Sequence, residues 1–207
     1  GTAILASPWA GADGRPTPLL DALFTATSAV SLTGLITVDT ATHWSTAGQV
    51  TILLLIQVGG LGFMTLASLL GLLLAGRLGL RRRLGATAEG RGLHLGDVAW
   101  VIRATVAFSL IVEAVVALAL ALRFRTAYGH SWGRAAWEGI FHAVSGFNNA
   151  GFALYTDNVM AFALDAWILL PLAVAMLGTR RPPREPLVEA GAMLGLLGLG
   201  GLPGRLV

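Results

Sequence analysis

The sequence predicts an all-α membrane protein made of repeated helix, re-entrant pore loop, helix units. Composition is the first reason: the chain is 55% hydrophobic and 12% charged, its mean hydropathy is +0.73, and its apolar residues fall in long runs rather than a scattered core pattern. A repeat is the second. Adding 117 to a residue number maps Phe24 onto Phe141, Ala26 onto Ala143, Ser28 onto Ser145 and Gly34 onto Gly151, while Asp21, Leu23 and Leu35 become Glu138, Ile140 and Phe152. The third is what each copy contains: an apolar segment too short for the roughly 20 residues of a membrane crossing, then small residues ending in Gly, then a long apolar run. Internal symmetry of this kind points to a transport path at the interface of the repeats.

Taken in order, Gly1 to Trp9 is apolar and reads as the last turns of a membrane helix leaving the bilayer. No initiator Met precedes it, so the N-terminus reads as truncated. Thr17 or Pro18 starts a short helix to about Ser31, with Asp21 in its first turn, where a carboxylate favours the positive end of the helix dipole. Thr33-Gly34 breaks it. The polar stretch Val38 to Ser45 follows, with Trp44 as an interfacial aromatic.

Gln49 to Gly76 contains no charged residue and is long enough to span with some tilt. Gly59, Gly60 and Gly62 lie inside it, and they admit two readings, close helix packing or a hinge. Arg77, Arg81, Arg82, Arg83 and Arg91 make the following linker basic, hence cytoplasmic, and place both Gly-ending loops on the outer side; binding of anionic lipid is the other reading of the Arg run. Val98 to Leu122 is the second span. Arg103 can snorkel from its inner end, but Glu113 near its middle must face protein or water, where it either pairs with the neighbouring loop or serves transport directly. A second short helix, about Gly133 to Ser145, leads to Phe147-Asn148-Asn149-Ala150-Gly151-Phe152. Met160 to Gly178 is a third span, weakened by Asp165 and Pro171, and after it the chain turns abruptly to a Pro- and Arg-rich run. The segments are therefore 1–76 (end of a first helix, pore loop and second helix of repeat 1), 77–96 (cytoplasmic basic linker), 97–178 (repeat 2) and 179–207 (a divergent tail, read as a frame slip).

Several function classes drop out. All fourteen basic residues are Arg, set between apolar runs rather than on a basic face with interleaved aromatics, so the high isoelectric point does not indicate nucleic acid. Zero cysteines exclude disulfides, thiolate metal sites and a Cys nucleophile. His142 has no second ligand at metal spacing and reads as a packed pore-helix side chain. An enzyme is not expected, because Glu113 with His142 is the only acid and base pair on offer.

A short helix dipping into the membrane ends in unpaired carbonyls and about half a negative charge. A Gly-containing segment after it can hold carbonyls inward, as a ring that replaces the hydration shell of an alkali cation. The expected ligands of such a cation are backbone oxygens of Leu32, Thr33 and Gly34 and of Asn149, Ala150 and Gly151, with no bound cofactor.

The runs SAVSLTGLITVDTATHW, QVGGLGFMT and GIFHAVSGFNNAGFALY resemble the membrane subunit of Trk/Ktr-type potassium uptake systems over about Gly1 to Met176. The resemblance implies a bacterial inner-membrane protein of four such repeats around one pore, generally a homodimer in the lipid bilayer, with a cytosolic nucleotide-binding regulatory subunit. It also implies that glycine at positions 34 and 151 favours potassium, since relatives passing sodium can carry Ser at the first. Third and fourth repeats are not in this sequence, so the 207 residues alone are expected to be inactive, and a non-transporting membrane fragment or assembly partner is the alternative.

Overall fold

Helix is the only regular structure among the described residues, 1–83 and 95–178 of this computed structural model, apart from one isolated bridge between Gly11 and Trp44. In chain order they are α1 (Thr2–Leu5), α2 (Leu19–Ser31), α3 (Thr46–Arg83), α4 (Leu95–Tyr128), α5 (Trp132–Phe147), a 3₁₀ turn (Met160–Phe162) and α6 (Ala166–Gly178). The all-α membrane expectation holds.

Two helices carry stretches long and apolar enough to cross a bilayer, Thr46–Ala67 of 22 residues and Ile102–Tyr128 of 27. At 1.5 Å per residue these reach about 33 and 40 Å, enough for a hydrocarbon core of about 30 Å. Leu54, Val58, Phe63 and Leu66 on α3, and Leu110, Val115 and Leu118 on α4, are exposed. A core helix of a soluble protein would bury such residues; outward apolar faces suit lipid.

The described residues divide into two compact units, one of residues 1–64 with 109–178 and one of residues 65–83 with 95–108. The first holds both short helices and both loops. Its core gathers Leu5, Ala22, Ala26, Ala29, Trp44, Ile52, Ile56, Phe141 and Phe152, from α1, α2, the first turns of α3, α5 and the loop segments. On the other side of α5 an aromatic cluster centres on buried Phe124, whose ring stacks with His130 at 5.8 Å and meets Phe162 at 5.4 Å. The described part of the second unit is helical, the later turns of α3 and the first turns of α4.

Two boundaries differ from the sequence reading. The basic linker 77–96 begins inside a helix, because α3 runs on through Arg83, where Leu80 to Arg83 are all good helix formers. Residues 84–94 of that linker, and the tail 179–207, lie outside the described residues. The third apolar helix begins at Ala166 rather than Met160, because Asp165 caps it: its Oδ1 accepts the Trp167 N–H at 3.0 Å, and the Arg123 guanidinium holds Oδ2 at 2.8 Å.

Candidate functional site: two glycine loops on a glycine seat

Both short helices end in the same closure. In the first repeat Leu32 takes the left-handed conformation, φ +58°, and the Thr33 N–H reaches back to the Ser28 carbonyl at 3.1 Å. In the second Asn149 does so at φ +54°, and the Ala150 N–H reaches the Ser145 carbonyl at 2.8 Å. Each is the six-to-one bond of a Schellman turn, which satisfies the last helical carbonyls. Asn tolerates this conformation, whereas a Leu there is uncommon and strained. Two residues on, Gly34 and Gly151 are left-handed again, at φ +70° and +76°. Alternating the sign of φ turns successive carbonyls toward one side of the strand instead of to opposite sides, which is what a carbonyl ring needs.

The loops meet at their glycines. A Cβ on Gly34 would sit 2.7 Å from the Ala150 carbonyl oxygen and 3.0 Å from the Gly151 Cα; a Cβ on Gly151 would sit 3.1 Å from the Gly34 Cα. The Ala150 carbonyl is thus aimed at the opposite loop. The Gly151 carbonyl is engaged otherwise, accepting from the Asn158 amide at 3.2 Å, so one of its two lone pairs is already used. The equivalent serines brace the loops from behind: Ser28 Oγ lies 3.0 Å from Thr33 Oγ1, and Ser145 Oγ donates to the Phe152 carbonyl at 2.6 Å.

Beneath them, α3 provides the seat. A Cβ on Gly59 would fall on the Val30 carbonyl of α2, and one on Gly60 would fall on the Asn148 side-chain amide. Each glycine therefore admits one loop, which is close packing at both. A Cβ on Gly62 would meet nothing within 4 Å. Buried Glu113 of α4 lies in this layer. Its Oε2 accepts from Gln57 Nε2 at 3.1 Å and its Oε1 from Asn148 Nδ2 at 3.2 Å; Asn148 Nδ2 also lies 3.3 Å from Gln57 Oε1 and 2.9 Å from the Val144 carbonyl.

The repeat-equivalent residues Asp39 and Thr156 bond directly, Thr156 Oγ1 donating to Asp39 Oδ2 at 2.8 Å. Burial of Asp39 works against its ionisation, but the Ala41 N–H and the Thr156 and Thr42 hydroxyls outweigh it and hold the carboxyl below the usual aspartate value. His142 is buried and fixed at both ring nitrogens, Nδ1 donating to the Glu138 carbonyl at 2.7 Å and Nε2 accepting the Leu154 N–H at 3.3 Å. Glu138 takes Arg134 at 2.7 Å and His130 at 2.6 Å. Glu113 and His142 thus have separate partners, and no cluster of three His, Asp or Glu side chains suited to a metal occurs among the described residues.

All ten residues singled out in sequence lie in one unit, where Gly59, Gly60 and Glu113 pack against the ends of the two short helices that carry the loop triplets. Sequence reading missed Gln57 and Asn148 as the partners of Glu113, and Asn158 as the partner of Gly151. The Asp39 to Thr156 contact could have been found, since the offset of the repeat maps one onto the other.

A family model described as a cation transport protein, TrkH, matches residues 4–179. The Ktr system potassium uptake protein B of Bacillus subtilis (strain 168) is 40% identical over 156 residues, 75% of this chain and 35% of that protein. The potassium/sodium uptake protein NtpJ of Enterococcus hirae is 35% identical over 180 residues, 86% of this chain and 39% of that protein. The Ktr system potassium uptake protein B of Vibrio alginolyticus is 40% identical over 156 residues, covering 75% and 34%. The chain thus spans between a third and two fifths of the length of these relatives. With its apolar spans and its family match, the chain is integral to the cytoplasmic membrane and belongs to the TrkH family of cation transport proteins, a family of transporters and not of enzymes.

Proposed function

We propose that these residues supply two of the pore loops of a monovalent-cation uptake protein, with potassium as substrate, coordinated by backbone carbonyls of Leu32, Thr33, Gly34, Asn149, Ala150 and Gly151. The observation that carries the reading is the repeated backbone pattern, left-handed at Leu32 and Gly34 and again at Asn149 and Gly151, with the two glycines face to face. The relatives' names, potassium uptake and potassium/sodium uptake, support the substrate class. The loops face outward and the Arg77 to Arg91 segment faces the cytoplasm, so a cysteine at Ala86 resists impermeant thiol reagents in intact cells. A longer chain or a second copy completes the ring, a dimer is the working assembly, and a cytosolic nucleotide-binding subunit regulates it.

Two loops make half a ring. An ion held by half its ligands at a dry site loses hydration energy without replacement, so the 207 residues alone insert in membranes but pass no selective flux. Complementation of a potassium-uptake-deficient bacterium on low potassium tests this. The full-length protein carrying these residues restores growth, and Gly34→Asp abolishes it. Failure of the full-length protein would indicate a non-transporting membrane protein, and rescue by the 207 residues alone would refute the half-ring account.

A further inference from the structure

We propose that Glu113 is the positioning residue of the second pore loop, acting through Asn148 to set ion preference; the inference rests on the filter reading above. Glu113 lies mid-span on α4, where a carboxylate is costly to keep. What it meets explains its presence. Two amide donors, Gln57 Nε2 and Asn148 Nδ2, point at its two oxygens at 3.1 and 3.2 Å. A carboxylate offers two acceptors in that plane, whereas an amide offers one acceptor and turns N–H groups toward the other donor.

Asn148 directly precedes the Asn149-Ala150-Gly151 segment, and its side chain rests on the bare backbone of Gly60. Fixing that amide fixes where the loop leaves α5. The first repeat has no amide at the matching place. Ser31, the equivalent of Asn148, is exposed and bonds only within its own helix, to the Thr27 carbonyl at 2.7 Å. Adding 117 to Gln57 gives Val174, an exposed residue of α6. The amide side of the cluster therefore does not follow from the repeat, and the cluster ties the second loop to α3 and α4 by side-chain hydrogen bonds.

Relative potassium and sodium flux in vesicles containing the full-length protein provides the test, with Glu113→Gln, Gln57→Glu and their combination. Loss of one of the two paired acceptors of the buried Glu113 carboxyl predicts that E113Q lowers potassium preference roughly tenfold. The exchange Q57E/E113Q restores the pairing of donors with acceptors and returns the preference to within about threefold of the unaltered protein. If E113Q does not accumulate in the membrane, the same rescue is read in the amount of folded protein, which the exchange restores and Q57E alone does not. An unchanged preference in E113Q, or an exchange no better than E113Q by either readout, overturns the proposal. Gly151→Ser run in parallel separates the two levels: if it lowers preference while E113Q does not, only the positioning role fails, and if Gly151→Ser has no effect the filter reading itself fails.

Discussion

Phe24 of α2 and Phe141 of α5 hold the same place in the repeat, yet Phe24 is 41% exposed and Phe141 is fully buried. The contrast runs along both helices. α5 buries Phe141, His142, Ala143, Val144 and Phe147 among others, whereas α2 buries only the small residues Ala22, Thr25, Ala26, Ser28 and Ala29 and leaves Leu19, Leu20, Leu23 and Val30 outward. Their last turns nonetheless close alike, with the same reach-back bond and the same left-handed positions. Loop conformation is therefore set locally by the chain, while the packing behind it differs: α2 sets its Val30 main chain on Gly59 and buries small residues, and α5 adds large buried side chains and the Asn148 cluster.

Substitutions at the seat should separate these two modes of holding most sharply. Gly59→Ala pushes a methyl group onto the Val30 main chain, which cannot rotate away, and should cost about 3 kcal/mol in unfolding from mixed micelles. Gly60→Ala meets a side chain instead and should cost about 1–2 kcal/mol. Gly62→Ala meets nothing and should be neutral or stabilising by up to about 1 kcal/mol, since Ala is the better helix former. Equal losses at Gly59 and Gly62 would show that contact of the added methyl group with Val30 does not set the cost.

A smaller effect is expected at the helix starts. Ser131 caps α5, accepting the Arg134 N–H at 3.4 Å, whereas Pro18 gives α2 no side-chain cap. Ser131→Ala should cost about 0.5 kcal/mol, the low end for a long cap bond, and Pro18→Ala less, both read in the same micelle assay. The smallest effect concerns acid. Asp39 has a lowered carboxyl pKa in the folded chain, so its contribution is present above the unfolded value and is lost as pH falls through the folded one. Thr156→Val removes one of the donors, so that loss should move to higher pH and shrink; an unchanged acid limb of stability against pH would show that the Asp39 to Thr156 link between the repeats contributes nothing.

Much of this was legible in the sequence because a fixed offset and a run of Gly, Ser and Thr are local signals. The two short helices were placed within about two residues of their observed ends, since Pro18, Ser131 and the loop glycines punctuate the chain. The left-handed Leu32 was not legible, because nothing in a Leu marks that conformation; only its repeat partner Asn149 hints at it. The partners of Glu113 were hidden for another reason. Gln57 and Asn148 lie 56 and 35 residues away along the chain, and no periodicity links an amide on one helix to a carboxylate on the next. Sequence showed that Glu113 needed partners, and folding showed which.

The filter itself is tested most directly by potassium and sodium fluxes through the full-length protein carrying Gly34→Ser or Gly151→Ser, with Ser31→Ala as the control. Both glycines are left-handed, so any side chain strains the loop, and Gly34→Ser also drives its Cβ toward the Ala150 carbonyl at 2.7 Å. Potassium preference should fall in both, further in Gly34→Ser, and should stay unchanged in Ser31→Ala, whose hydroxyl is exposed and bonded within α2. Unaltered preference in both glycine variants would contradict the assignment of these loops as the cation site.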